Sequence, residues 1–181
     1  MLVNAKLYEE ELVQWTLKHQ YDLSINLAYG GAGNSIEGFP KNNKDEHHLV
    51  SIDSKGNLLG YLGYYINWET RSVDALYAIR CADEPSPLFI RDLFRAIDDI
   101  FYKYHLNRIE FSAYEDNPVC DTYRRLVEKC GGEEIGVLHE KTLLMDGKVH
   151  NTVLFEIMRK DYIYFNQYGS NIGRDIVEEI L

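Results

Sequence analysis

Apolar residues at Leu7, Tyr8, Leu12, Trp15 and Leu17, set among Glu and Lys, have a spacing that predicts a helix over residues 7–21. Residues 29–44 are rich in Gly and Asn, with Gly30, Gly31, Gly33 and Gly38, and read as a flexible loop. The pattern then changes. Residues 49–53, 58–68 and 72–81 read as strands, with Asp53-Ser54-Lys55-Gly56-Asn57 as a turn between the first two. A helix over residues 88–104 places Leu93, Ile97, Ile100 and Tyr104 on one face. Residues 107–114 alternate Ile109, Phe111 and Ala113 against Arg108, Glu110 and Ser112, a strand with one polar side. A helix over 121–130 carries Tyr123, Leu126 and Val127 at apolar spacing and stops at Gly131-Gly132. Strands over 137–145 and 148–159 flank Asp146-Gly147, a strong hairpin signal. The tail, 163–181, reads as an extension with a short amphipathic helix over Ile172, Ile176, Val177 and Ile180. Helices and strands mixed in this order predict one α+β domain over 1–162, a sheet with helices on its faces.

Bulk composition narrows the chemistry only a little. The chain has 181 residues, the size of one domain with a full core. Its formal net charge of -10 argues against a nucleic-acid binder, which needs concentrated Lys and Arg. The three cysteines, Cys81, Cys120 and Cys130, form no Cys-x-x-Cys, and two of them lie about 15 Å apart along one helix. Reduced thiols fit a cytoplasmic location. No apolar run approaches the ~20 residues that span a bilayer, and Met1–Lys6 has no apolar core of a signal peptide.

The landmarks from residue 93 to 162 carry more. They are Leu106-Asn107-Arg108-Ile109-Glu110, Glu128-Lys129-Cys130-Gly131, Gly136-Val137-Leu138-His139-Glu140, Met145-Asp146-Gly147-Lys148 and Ile157-Met158-Arg159-Lys160-Asp161-Tyr162. Their order and spacing resemble the GNAT acyltransferase superfamily, in particular the branch that acetylates protein N-terminal amines. The resemblance implies a GNAT-like fold, a mixed and mostly antiparallel sheet that splays in the middle. It implies acetyl-CoA as co-substrate and a primary amine, on a small molecule or a peptide, as acceptor. It is weakest before residue 48, where the family opens with a strand for which Met1–Lys6 leaves little room.

In the family, pantetheine pairs with backbone of the fourth strand, here Ile79, Arg80 and Cys81. The pyrophosphate sits on a glycine-rich loop at the next helix start, where free N–H groups and the positive helix end hold an anion. This chain departs from that pattern. Glu84 stands where the family has Arg or Gln, and Pro87 and Phe89 stand on the two glycine positions. Pro87 has no N–H to donate, and Asp83 and Glu84 add negative charge. Two readings stand for this degenerate loop. In one, Ser86 is an N-cap and Pro87 the first helical residue. In the other, Ser86, Leu88 and Phe89 still hold the cofactor in altered form, with Arg80, Arg91 and Arg95 as replacement cations.

The resemblance also implies an Asn before the fourth helix and a Tyr about two turns later that protonates the departing thiolate. Asn117 and Tyr123 have the right types but sit three or four residues early, with Cys120 and Val127 at the family positions. Tyr123 reads either as packing or as the acid. Glu110 is the candidate base, with Glu69 and His139 behind it. His47-His48 reads as a surface pair, since neighbours on a strand point to opposite faces and do not chelate together. The function this implies is acetyl transfer to an amine. The alternatives are a GNAT-fold binding or regulatory module without the cofactor site, and a structural homo-oligomer subunit.

Overall fold

The computed structural model describes residues 1–19, 21–22 and 42–168. The loop expected over 29–44 and the helix expected over 172–180 lie almost wholly or wholly outside them. Seven strands form one sheet: β1 (Leu2–Asn4), β2 (Glu46–Ile52), β3 (Leu58–Asn67), β4 (Ser72–Arg80), β5 (Arg108–Tyr114), β6 (Glu133–Leu143) and β7 (Val149–Met158). Their order is β1-β2-β3-β4-β5-β7-β6. All neighbours are antiparallel except β4 and β5. The first strand, which the sequence leaves little room for, is three residues long and pairs Leu2 with Ser51.

Among the described residues four α-helices flank the sheet: α1 (Glu9–His19), α2 (Pro87–Asp98), α3 (Val119–Cys130) and α4 (Arg159–Tyr168). A 3-10 turn, Ala5–Tyr8, leads into α1, capped by Asn4, whose side chain accepts from Lys6 N. The helix expected over 88–104 is α2 followed by a π-helical turn, Asp99–Lys103. Gly131 ends α3 with φ 71°, a left-handed conformation that suits glycine. The hairpin forms at Asp146-Gly147, where Leu144 N donates to Lys148 O. Helix α4 runs across residue 162, the expected domain edge, and Tyr162 is buried there with its hydroxyl donating to Asp98 at 3.0 Å.

Two hydrophobic clusters separate the faces of the sheet. Leu62, Tyr64, Ile66, Val73, Ile109, Phe111, Val153, Phe155 and Ile157 pack with α2 and α3 on one face. Val50 and Ile52 pack with Leu12 of α1 on the other. Between β2 and α2 lies the fully buried Asp92. Its carboxylate accepts from Ser51 Oγ at 2.8 Å, meets the Met1 ammonium at 2.7 Å and Arg95 at 3.3 Å. A buried carboxylate persists only when paired in this way. Among the described residues no helix is long and apolar enough to cross a membrane.

Candidate active site

The site follows from one topological fact. Strands β4 and β5 run parallel and pair only at Ser72–Arg108 and Val73–Ile109. Beyond Val73 they part, and the sheet opens. A bulge at Tyr65/Ile66, where β3 meets β4, lies at the level where the parting begins. Bulges bend and twist a strand, which helps it leave its neighbour.

The opening is a cleft of about 340 Å³. Leu76, Tyr77, Ala78 and Ile79 of β4 form one wall, and Ser112, Ala113 and Tyr114 of β5 the other. Thr152, Lys141 and Thr142 close it from β7 and β6, and Tyr123 reaches it from α3. Residues from both faces of the sheet line the cleft. Leu76 and Ala78 pack on the α2 and α3 side, while the half-exposed Tyr77 stands on the α1 side. A smaller apolar pocket under it is lined by Leu93, Ile97, Phe111, Tyr123 and Leu126.

Tyr123 packs against the core and also reaches the cleft. Its ring packs edge-on against Phe111 at 4.9 Å and Phe155 at 5.6 Å, and it also borders the cleft. Of the other expected residues, Ile79 lines the cleft. Cys81 is engaged elsewhere: its N–H donates to Leu59 O and its carbonyl accepts from Trp15 Nε1 at 3.1 Å. In an antiparallel ladder, bonded residues alternate with residues whose N–H and C=O point the other way. With Cys81 bonded toward β3, the alternation turns Arg80 and Ala78 toward the opening.

The loop before α2 makes a helix start without a side-chain cap. Ser86 occupies the N-cap position, Pro87 the first helical one, but the Ser86 hydroxyl makes no capping bond. Phe89 N–H donates to Ser86 O at 3.0 Å. The Phe89 ring does not block the loop. It is buried in the core on the α2 side. Of the three candidate cations, Arg95 is paired with Asp92. Asn117 organises the start of α3, its side-chain oxygen accepting from Val119 N at 2.9 Å. Glu110 lies on the α1 face of β5, beside Arg108 at 3.4 Å, and does not border the cleft.

Burial disfavours the thiolate form of each cysteine. Burial pushes Cys81 and Cys130 up to about 12, and raises Cys120 as well. No cluster of metal-ligating side chains occurs among the described residues.

The sequence missed one group. His47 and His48 do point to opposite faces, but they are not a surface pair. His47 stacks on Tyr64 at 4.7 Å and tilts against Tyr104 at 5.2 Å. The His48 side chain is 13% exposed, and its Nδ1 lies 2.5 Å from the Tyr61 hydroxyl. The signal was available in Tyr61-x-Gly63, a glycine beside an aromatic on a strand, which marks close approach of another group.

No family profile matches the sequence, and no curated protein matches it. Solved structures do. A point mutant of the spermidine N-acetyltransferase SpeG from Vibrio cholerae is similar at 24% identity and TM-score 0.57, over 85% of this chain and 77% of that one. The spermidine/spermine N-acetyltransferase SpeG from Vibrio cholerae in complex with manganese ions is similar at 24% identity and TM-score 0.58, over 88% and 78%. A chimera of the Vibrio cholerae enzyme with hSSAT gives 25% identity and TM-score 0.57, over 86% and 78%. Likeness at this level establishes architecture: the chain has the GNAT fold, with its parted parallel strands.

Proposed function

We propose that the protein is an N-acyltransferase that moves an acetyl group from acetyl-CoA to a primary amine. The observation that carries this reading is the cleft between β4 and β5, bordered by Tyr123. Its walls fit the slender part of the co-substrate. Ala78 and Arg80 turn amide groups toward the opening to pair with pantetheine, and Leu76, Ala78 and Ala113 leave apolar room for the thioester. The thioester supplies the activated carbonyl. The protein's contribution is to hold amine and carbonyl together, since proximity alone is worth several kcal/mol. Tyr123 is positioned to give a proton to the departing thiolate, and Tyr77 and Tyr65 offer half-exposed aromatic faces to an incoming ammonium on the α1 side. The spermidine acetyltransferases that share the fold make a small polyamine the first acceptor to try, with a peptide amine as the second.

The diphosphate end fits less well. Pro87 lacks an N–H, Phe89 spends its own on Ser86, and Asp83 and Glu84 stand exposed beside the helix start. That observation favours a second reading, a binding module that keeps the fold without CoA. Thermal unfolding with acetyl-CoA separates the two. Saturation at a hundredfold over the dissociation constant stabilises an acyltransferase by about 2.7 kcal/mol. Thiol release in the presence of spermidine or a free-amine peptide then reports turnover. No shift at millimolar acetyl-CoA removes the enzyme reading.

A further inference from the structure

On the α1 face, His48 of β2, Gly63 of β3 and Tyr77 of β4 stand directly opposite one another in the sheet register. Gly63 has no side chain to fill its place in this row. The Tyr61 side chain fills it instead: a Cβ on Gly63 would stand 2.8 Å from the Tyr61 hydroxyl oxygen. The hydroxyl is thereby placed between His48 and Tyr77, and Tyr77 borders the cleft. On the far side of the imidazole, Nε2 is buried, without a hydrogen-bond partner among the described residues, and lies 3.8 Å from the Glu46 carboxylate.

This arrangement decides the tautomer. A carboxylate facing Nε2 favours the form that carries its hydrogen there, as an acidic partner does for many functional histidines. Nδ1 is then the acceptor, and the Tyr61 hydroxyl is the donor. A phenol that donates its hydrogen keeps lone pairs with which to accept another. Tyr61 and His48 thus form a chain that accepts a proton at the Tyr61 end and stores it at the His48 end.

We propose that Tyr61 and His48 are the proton-accepting relay on the amine side of the cleft, oriented by Glu46. The inference rests on the acyltransferase reading. The incoming ammonium first gives one proton to solvent; as the free amine nitrogen then bonds to the thioester carbon, it carries one surplus proton. That proton passes to the Tyr61 oxygen while the Tyr61 hydrogen passes to His48 Nδ1, leaving an imidazolium beside Glu46. The carbon–sulfur bond breaks, and the thiolate takes a proton from Tyr123. The products are the amide and free thiol, and solvent returns the His48 proton to Tyr123. Burial lowers the basicity of His48, so it is neutral and ready to accept near pH 7. The titratable groups that bear on it are Glu46 and His47 of β2, Tyr61 of β3 and, through Tyr61, Tyr77 of β4.

Two measurements test the relay. Nitrogen NMR of the neutral wild-type protein reads the tautomer whether or not a substrate is known. The hydrogen belongs on Nε2 of His48, and finding it on Nδ1 overturns the proposal. Steady-state kinetics of H48Q and Y61F follow, with spermidine or the free-amine peptide as acceptor. Each loses about a hundredfold to ten-thousandfold in kcat, the usual share of a general base. Both keep wild-type acetyl-CoA affinity, and H48Q also loses the acid limb of the pH profile. Variants that bind acetyl-CoA and retain both kcat and the acid limb overturn the relay alone. A wild-type protein that binds no acetyl-CoA overturns the acyltransferase reading itself.

Discussion

The ring of Phe89 lies against the backbone of Gly60, so that a Cβ on Gly60 would stand 2.4 Å from Phe89 Cε2 and 2.7 Å from Ile79 O. This contact ties the first turn of α2 to β3 and accounts for a buried phenylalanine at this position. Gly60→Ala forces the ring or the strand to move, an overpacking that costs about 1–3 kcal/mol. At ~2–4 °C per kcal/mol for a chain of this size, melting temperature falls by several degrees. Phe89→Leu in the same background, by removing ring atoms, recovers part of the loss. Calorimetry on the two single variants and the pair checks this, and strictly additive losses would show that the residues do not touch.

Tyr123→Phe keeps the packing against Phe111 and Phe155 and removes only the hydroxyl. Turnover falls by about tenfold to a hundredfold, while acetyl-CoA affinity and melting temperature stay near wild type. Unchanged turnover confines Tyr123 to the core.

His150 sits between two carboxylates. Its Nδ1 is 2.8 Å from Asp116 and its Nε2 3.1 Å from Asp146, joining the β6–β7 turn to the segment before α3. Hydrogen bonds to Asp116 and then Asp146 raise the His150 pKa above its ordinary value, and bonds from Lys148 N–H and His150 hold Asp146 below the usual carboxylate range. The raised histidine stabilises the fold fully below about pH 6.5 and loses that contribution as pH rises through its folded value. The lowered aspartate contributes above about pH 4 and loses its share as pH falls. The clamp is therefore tightest between about pH 4 and 6.5. Melting curves across pH 4–9 show a decline on the alkaline side that His150→Gln flattens.

Asp92 is fully buried, with Ser51, Arg95 and the Met1 ammonium as partners. Asp92→Ala strands the Ser51 hydroxyl and costs about 1–3 kcal/mol. Urea unfolding measures it, with the midpoint falling and the slope unchanged.

Much of this architecture is legible in the residues. The alternation over Arg108–Tyr114, the Asp146-Gly147 turn and the Gly131 stop each express a local physical rule, and each stands where that rule puts it. What sequence could not supply is what depends on register. Residues 2–4 are too short to announce a strand and become one only because β2 offers an edge. Nothing along the chain shows that the Phe89 side chain packs against the backbone of Gly60. His48 looks like half of a surface pair because Tyr61-x-Gly63 marks a close approach without showing that His48 is the group Tyr61 leans over Gly63 to meet.

The central claim is that the gap between β4 and β5 receives acetyl-CoA. Isothermal titration of acetyl-CoA into the wild-type protein and into Ala78→Trp tests it most directly, because the new indole fills the cleft beside Ala113 and Tyr123. The account predicts one site per chain in the wild type and at least a hundredfold weaker binding in a folded variant. Equal affinity in both, or no binding at millimolar acetyl-CoA in the wild type, would contradict it.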